Sequence, residues 1–122
     1  MKLRKEYRAT RVFTRVSWFV HRRVNSAIES ELLQTNPPMP PKEMGKGWPI
    51  WILEHQGREL VFASPEEMAH VADVLGRKVL PRPWQLYERG GRVNGHWLSR
   101  LHTSWRPWKV RQRVVAVLRV GV

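Results

Sequence analysis

WPIWILEHQGRELVFASPEEMAHVADVL, residues 48–75, decides how the rest of this chain is read. Trp48–Leu53 and Glu59–Ala63 are short runs rich in β-branched and aromatic residues, which fit a pleated, half-buried surface. Between them Glu54-His55-Gln56-Gly57-Arg58 supplies a glycine-containing loop, so the two runs are expected to pair as a β-hairpin. Ser64-Pro65-Glu66-Glu67 then signals a helix start. The serine can accept from the N3 amide, proline loses nothing at N1, and Glu67 is placed to reach back. Met68, Val71, Ala72 and Leu75 share one face of that helix, and Gly76 suits the C′ position beyond it.

Toward the N-terminus, Asn36-Pro-Pro-Met-Pro-Pro cannot continue a helix, and with Gly45 and Gly47 it makes 36–47 a Pro/Gly-rich internal linker. Further back, Val12, Phe13, Val16, Val20, Val24, Ala27, Ile28 and Leu32 recur at three- and four-residue spacing, which predicts one continuous helix from Thr10 to about Leu32. Phe13, Val16, Val20, Val24, Ala27 and Ile28 would share its apolar face. Arg8, Arg11, Arg15 and Arg22 would gather opposite, with Trp18 beside them. The competing reading makes RVFTRVSWFV, residues 11–20, a strand, with Ser26–Glu29 as a capping box for a shorter helix. Residues 1–9 are polar and basic and read as a loose arm.

On the C-terminal side RKVLPRPWQLYERGGRVNG, residues 77–95, reads as loop with one helical turn near Trp84–Glu88. A short helix His96–Leu101 capped by Asn94 follows. A last helix over Arg106–Arg119 has Pro107 in its first turn and Val110, Val114, Val117 and Leu118 as its apolar set. The expected fold is α+β: one small domain over 10–122, a central β-hairpin packed against about four helices, preceded by the basic arm 1–9. At 122 residues the chain has room for one modest core.

Charge is laid out unevenly along this frame. Residues 1–23 carry eight Lys/Arg against Glu6, and 77–122 carry eleven against Glu88, while 24–76 carry three against eight acids. The segments are therefore +7, −5 and +10, making the net +12. Sixteen of the 22 cations are Arg, several lying close to one of seven Trp. Arginine grips phosphate bidentately and stacks on rings, so a polyanion, most simply nucleic acid, is the expected partner.

Other classes find little support. The chain has no cysteine, which removes disulfides, thiolate nucleophiles and Cys-containing zinc sites and fits a cytoplasmic location. No apolar run approaches the roughly 20 residues that span a bilayer, and no apolar region follows the basic N-terminus as in a secretory signal. Glu67 and His70 have the E-x-x-H spacing of a di-iron half-site, but there is no second copy, and no metal or cofactor is expected. A metal-dependent nuclease would have to rest on Glu66, Glu67, His70 and Asp73, residues whose commoner work is capping and solvating a surface helix. Gly90, Gly91 and Gly95 do not make a phosphate loop.

The expectation is therefore a small, basic, non-enzymatic nucleic-acid-binding protein, for DNA or RNA, dominated by phosphate contacts. Arg100, Arg106, Lys109, Arg111 and Arg113 are the first candidates for phosphate, with Arg11, Arg15 and Arg22 secondary. Trp105 or Trp108 is the expected stacking ring. The alternative is a protein-interaction factor, an inhibitor or accessory subunit of a nucleoprotein complex of the phage or plasmid kind, docking on an acidic surface.

Overall fold

The computed structural model describes residues 1–23, 35–80 and 97–121. Its centre is a three-stranded antiparallel sheet of order β1-β4-β5, made of β1 (Lys2–Arg8), β4 (Trp48–His55) and β5 (Arg58–Phe62). Two short strands, β2 (Arg22–Arg23) and β3 (Thr35–Asn36), pair separately. The α-helices among the described residues are α1 (Ser17–Val20), α2 (Pro65–Leu75) and α3 (Trp108–Gly121), with 3-10 helices at Trp97–Arg100 and Thr103–Trp105.

The architecture is α+β as expected, but two expectations need correction. The hairpin is part of a three-stranded sheet, and three helices rather than about four are present among the described residues, only α2 and α3 exceeding one turn. The segment 1–9 is mostly strand, not a loose arm: Lys2–Arg8 pairs with Glu54–Trp48 along its whole length. Over residues 10–23, the described part of the helix expected from Thr10, only Ser17–Val20 is α-helical, and the turn at His21 leads into β2. The remainder of that helix, the Ser26–Glu29 box, the turn near Trp84–Glu88 and the Asn94 cap lie outside the described residues.

The hairpin turns more tightly than a five-residue loop. Gln56 and Gly57 form a two-residue connection with φ of 50° and 76°, the left-handed pair whose twist matches the flanking strands. Pro49 is tolerated in the central strand because of where its missing N–H would fall. Odd-numbered residues of β4 bond toward β5, and β5 ends at the Trp51–Phe62 pair. At Gly47, φ is 111° and a Cβ would come 2.5 Å from the Arg8 carbonyl oxygen, so only glycine admits β1 at this point.

One face of the sheet, with Leu3, Trp51, Leu53, Leu60 and Phe62, packs on the core with Met68, Val71, Leu75, Trp105, Val114 and Leu118. On the other face the directly opposed Glu54 and Glu59 would repel, and Arg4 bridges them at 2.8 and 2.6 Å while also binding Glu6.

α2 starts as its sequence promised. Ser64 accepts from the Glu67 amide at 3.1 Å, and Pro65 follows at N1. The Glu67 carboxylate does not close a reciprocal box. It is fully buried and accepts from Thr14 and Ser17 hydroxyls at 2.6 and 2.9 Å, while His21 Nε2 meets Ser64 Oγ at 2.6 Å. That network fastens residues 14–21 to the helix start. At the other end Gly76 is right-handed, with φ of −74°, rather than the left-handed C′ residue expected. Glycine is needed there for space, since a Cβ would lie 2.8 Å from the Ala72 carbonyl oxygen and 3.6 Å from Val115.

Candidate functional site

The structure sorts the cations into three groups. Those of β1 are largely neutralised within the sheet: Arg4 by three carboxylates, Arg8 by Glu6 at 3.1 Å, Lys5 by Glu43 at 3.5 Å. Bonds from Arg4 and then Arg8 hold the Glu6 carboxyl below its ordinary range. Asp73 is paired with Arg77, which leaves Glu66 as the exposed carboxylate without an ion pair among the described residues.

A second group turns inward. Arg111, expected at phosphate, is 6 % exposed. Its guanidinium donates to the carbonyls of Arg106, Leu75, Arg77 and Lys78, at 2.7, 3.4, 2.6 and 3.2 Å. It thereby satisfies carbonyls at and just beyond the end of α2 and is largely withdrawn from solvent. The pattern that hides it is α3's own periodicity, since Arg111, Val114 and Leu118 lie on one face. Arg106 also spends donors on backbone, to Leu98 and Leu101, although its residue is exposed. Trp105 is 2 % exposed and belongs to the core, and Trp108 is half-buried with the Arg111 guanidinium 5.0 Å from its ring. Neither is an open stacking platform.

The third group faces outward. On α3, Lys109, Arg113 and Arg119 are exposed on one side with Gln112 and Ala116 between them. No Asp or Glu occurs anywhere in 97–121. A cavity of about 460 Å³ gathers Arg15, Arg58, Arg100 and His102 over a wall containing Trp97 and Trp105. Arg15 and Arg100 come from opposite ends of the chain, so the two basic segments do meet there. Arg11 lies over the Trp48 ring at 4.3 Å, a cation–π contact. Arg22 belongs to β2, and its side chain is outside what the structure describes.

The ring that sequence reasoning passed over is Trp18. It is 60 % exposed and stacks on Phe13, also exposed, with centroids 5.4 Å apart and planes 18° from parallel. Its position beside the arginines of 11–15 was visible in the sequence.

Glu67 and His70 do not converge on a metal. Glu67 serves the network at residues 14–21, and His70 Nε2 accepts from the Trp97 indole N–H at 3.1 Å. Among the described residues no three His, Asp or Glu side chains are grouped to hold an ion, and no helix is long and apolar enough to cross a membrane. Comparison with known protein families, curated protein sequences and solved structures returns no match.

Proposed function

We propose that the protein is a small cytoplasmic, non-enzymatic nucleic-acid-binding module whose affinity comes mainly from phosphate contacts. The observation that carries this reading is the acid-free solvent face of α3, where Lys109, Arg113 and Arg119 form no ion pair among the described residues. Such a row of cations repels itself in isolation and gains by displacing the counterions condensed on a polyphosphate. Lys109 and Arg113 are one helical turn apart, about 6 Å along the axis, close enough to engage neighbouring phosphates of one strand. The exposed Phe13–Trp18 pair adds a surface on which an unpaired base can stack, so single strands are favoured over duplex.

The test is fluorescence anisotropy with a labelled oligo-dT and a labelled duplex. Reversing all three helix cations, Lys109→Glu, Arg113→Glu and Arg119→Glu, is expected to abolish binding of both while the far-UV circular dichroism stays unchanged. Unaltered affinity in a folded triple variant would remove α3 from the site.

A further inference from the structure

The arginine cavity runs along a strand. Residues 57–61 line it in succession, and from Arg58 onward they are β5, an edge strand of the sheet. In an antiparallel ladder, residues alternate between those bonded to the neighbouring strand and those whose N–H and C=O point away from it. Counting out from the two-residue turn, Arg58, Leu60 and Phe62 bond to β4, while Glu59 and Val61 direct their amides and carbonyls to the open side. No chain pairs with that side among the described residues. Edge strands are usually covered or cut short, because they template pairing with another chain. This one is flanked by residues 14–16 and 97–105 with space left between.

Cations surround that space. Arg15 and Arg58 form no ion pair among the described residues, Arg100 lines the same cavity, and the one carboxylate present, Glu59, is held by Arg4 at 2.6 Å. We propose that the cleft binds an extended acidic peptide of a partner protein by β-strand addition. The peptide backbone pairs with Glu59 and Val61, and its carboxylates meet Arg15 and Arg58. A nucleic acid is the poorer occupant. It has no alternating N–H and C=O to match the strand edge, and the rings in the wall, Trp97 and Trp105, are 5 % and 2 % exposed and closed to bases. This site is separate from the α3 face, so either can fail without the other.

The probe is a fluorescein-labelled dodecapeptide alternating Glu with Val, compared with the same peptide N-methylated at alternate residues. Saturable binding is expected, weakened about tenfold or more by N-methylation. Val61→Pro should do the same, because it deletes an outward N–H and leaves the β4 ladder intact. Arg15→Glu with Arg58→Glu should also weaken it, whereas the α3 triple variant should bind the peptide as wild type does. Absence of binding, or equal affinity for the N-methylated peptide, would overturn β-addition. Displacement of the peptide by oligo-dT from the α3 triple variant would instead make the cleft a nucleic-acid site. Should Val61→Pro lose its sheet signal, the N-methylated pair decides alone.

Discussion

Arg111 takes a full positive charge into the interior, where a lone ion is costly. It is tolerated because four carbonyls receive its planar fork: that of Leu75 in the last turn of α2, where helix geometry leaves acceptors unpaired, those of Arg77 and Lys78 just beyond the helix, and that of Arg106. Truncating it strands those acceptors away from water. Arg111→Met is expected to lower the unfolding free energy by about 2–4 kcal/mol in chemical denaturation. Arg111→Lys should recover only part of this, since an ammonium cannot copy the fork. Binding by the folded fraction of either variant should match wild type, and a specific loss would return Arg111 to the site. Trp18 is the opposite case, a large ring left 60 % exposed. Trp18→Ala should leave the melting midpoint nearly unchanged. It should weaken oligo-dT binding by about 1–3 kcal/mol, with a smaller effect on duplex, both read by anisotropy. Equal losses on both would mean that the ring does not stack on bases.

At the scale of elements, α2 carries a pH response through its contact with the 3-10 helix at Trp97–Arg100. Burial, opposed by Asp73 and reinforced by Arg77, holds His70 below the ordinary histidine value. The indole bond requires the same neutral ring, because Trp97 can only donate. The unfolded chain therefore takes up this proton at higher pH than the folded one. Stability from this group is complete above about pH 6.5 and declines as pH falls toward the folded value. His70→Gln keeps an acceptor and cannot titrate, so its thermal midpoint should fall less than that of wild type between pH 7.5 and 5. Parallel curves would show that His70 is not the group responsible. The hairpin and α2 were readable because their signals are local: apolar runs either side of a glycine turn, then a cap within four residues. β1 was not, because its pattern becomes regular only in pairs. Lys5 interrupts the inward series Leu3 and Tyr7, yet it sits 5.3 Å from the Trp51 ring and 5.4 Å from that of Tyr7. Arg4 makes sense only once pairing brings it beside Glu54 and Glu59, which it bridges together with Glu6. Within residues 10–23 the periodicity predicts more helix than is found, since His21 leaves helical geometry to join Ser64 and Pro37.

Across the whole molecule, the uneven charge of the chain is resolved by folding in an unequal way. The acidic middle and the basic N-terminal strand cancel on the sheet through Arg4, Arg8 and Lys5, whereas 97–121 has no acid of its own and keeps its surplus outside on α3. Of the proposed site, only the sign of the charge and the cationic segments were legible in the sequence. It did not disclose which arginines face solvent, because Arg111 and Arg113 differ only in their phase on one helix. That phase sets the measurable electrostatic response. Each duplex phosphate neutralised contributes about 0.9 to the slope of log K against log salt. If Lys109, Arg113 and Arg119 each engage one phosphate, removing all three lowers the slope by about 2.7. Single Arg113→Gln should lower it by about 0.9, and Arg111→Gln, buried and committed to carbonyls, by nothing. A salt titration of duplex affinity for these variants separates helix phase from mere charge count. Equal slopes for the Arg111 and Arg113 variants would mean that the surface responds to net charge alone, and α3 would then have no claim as the interface.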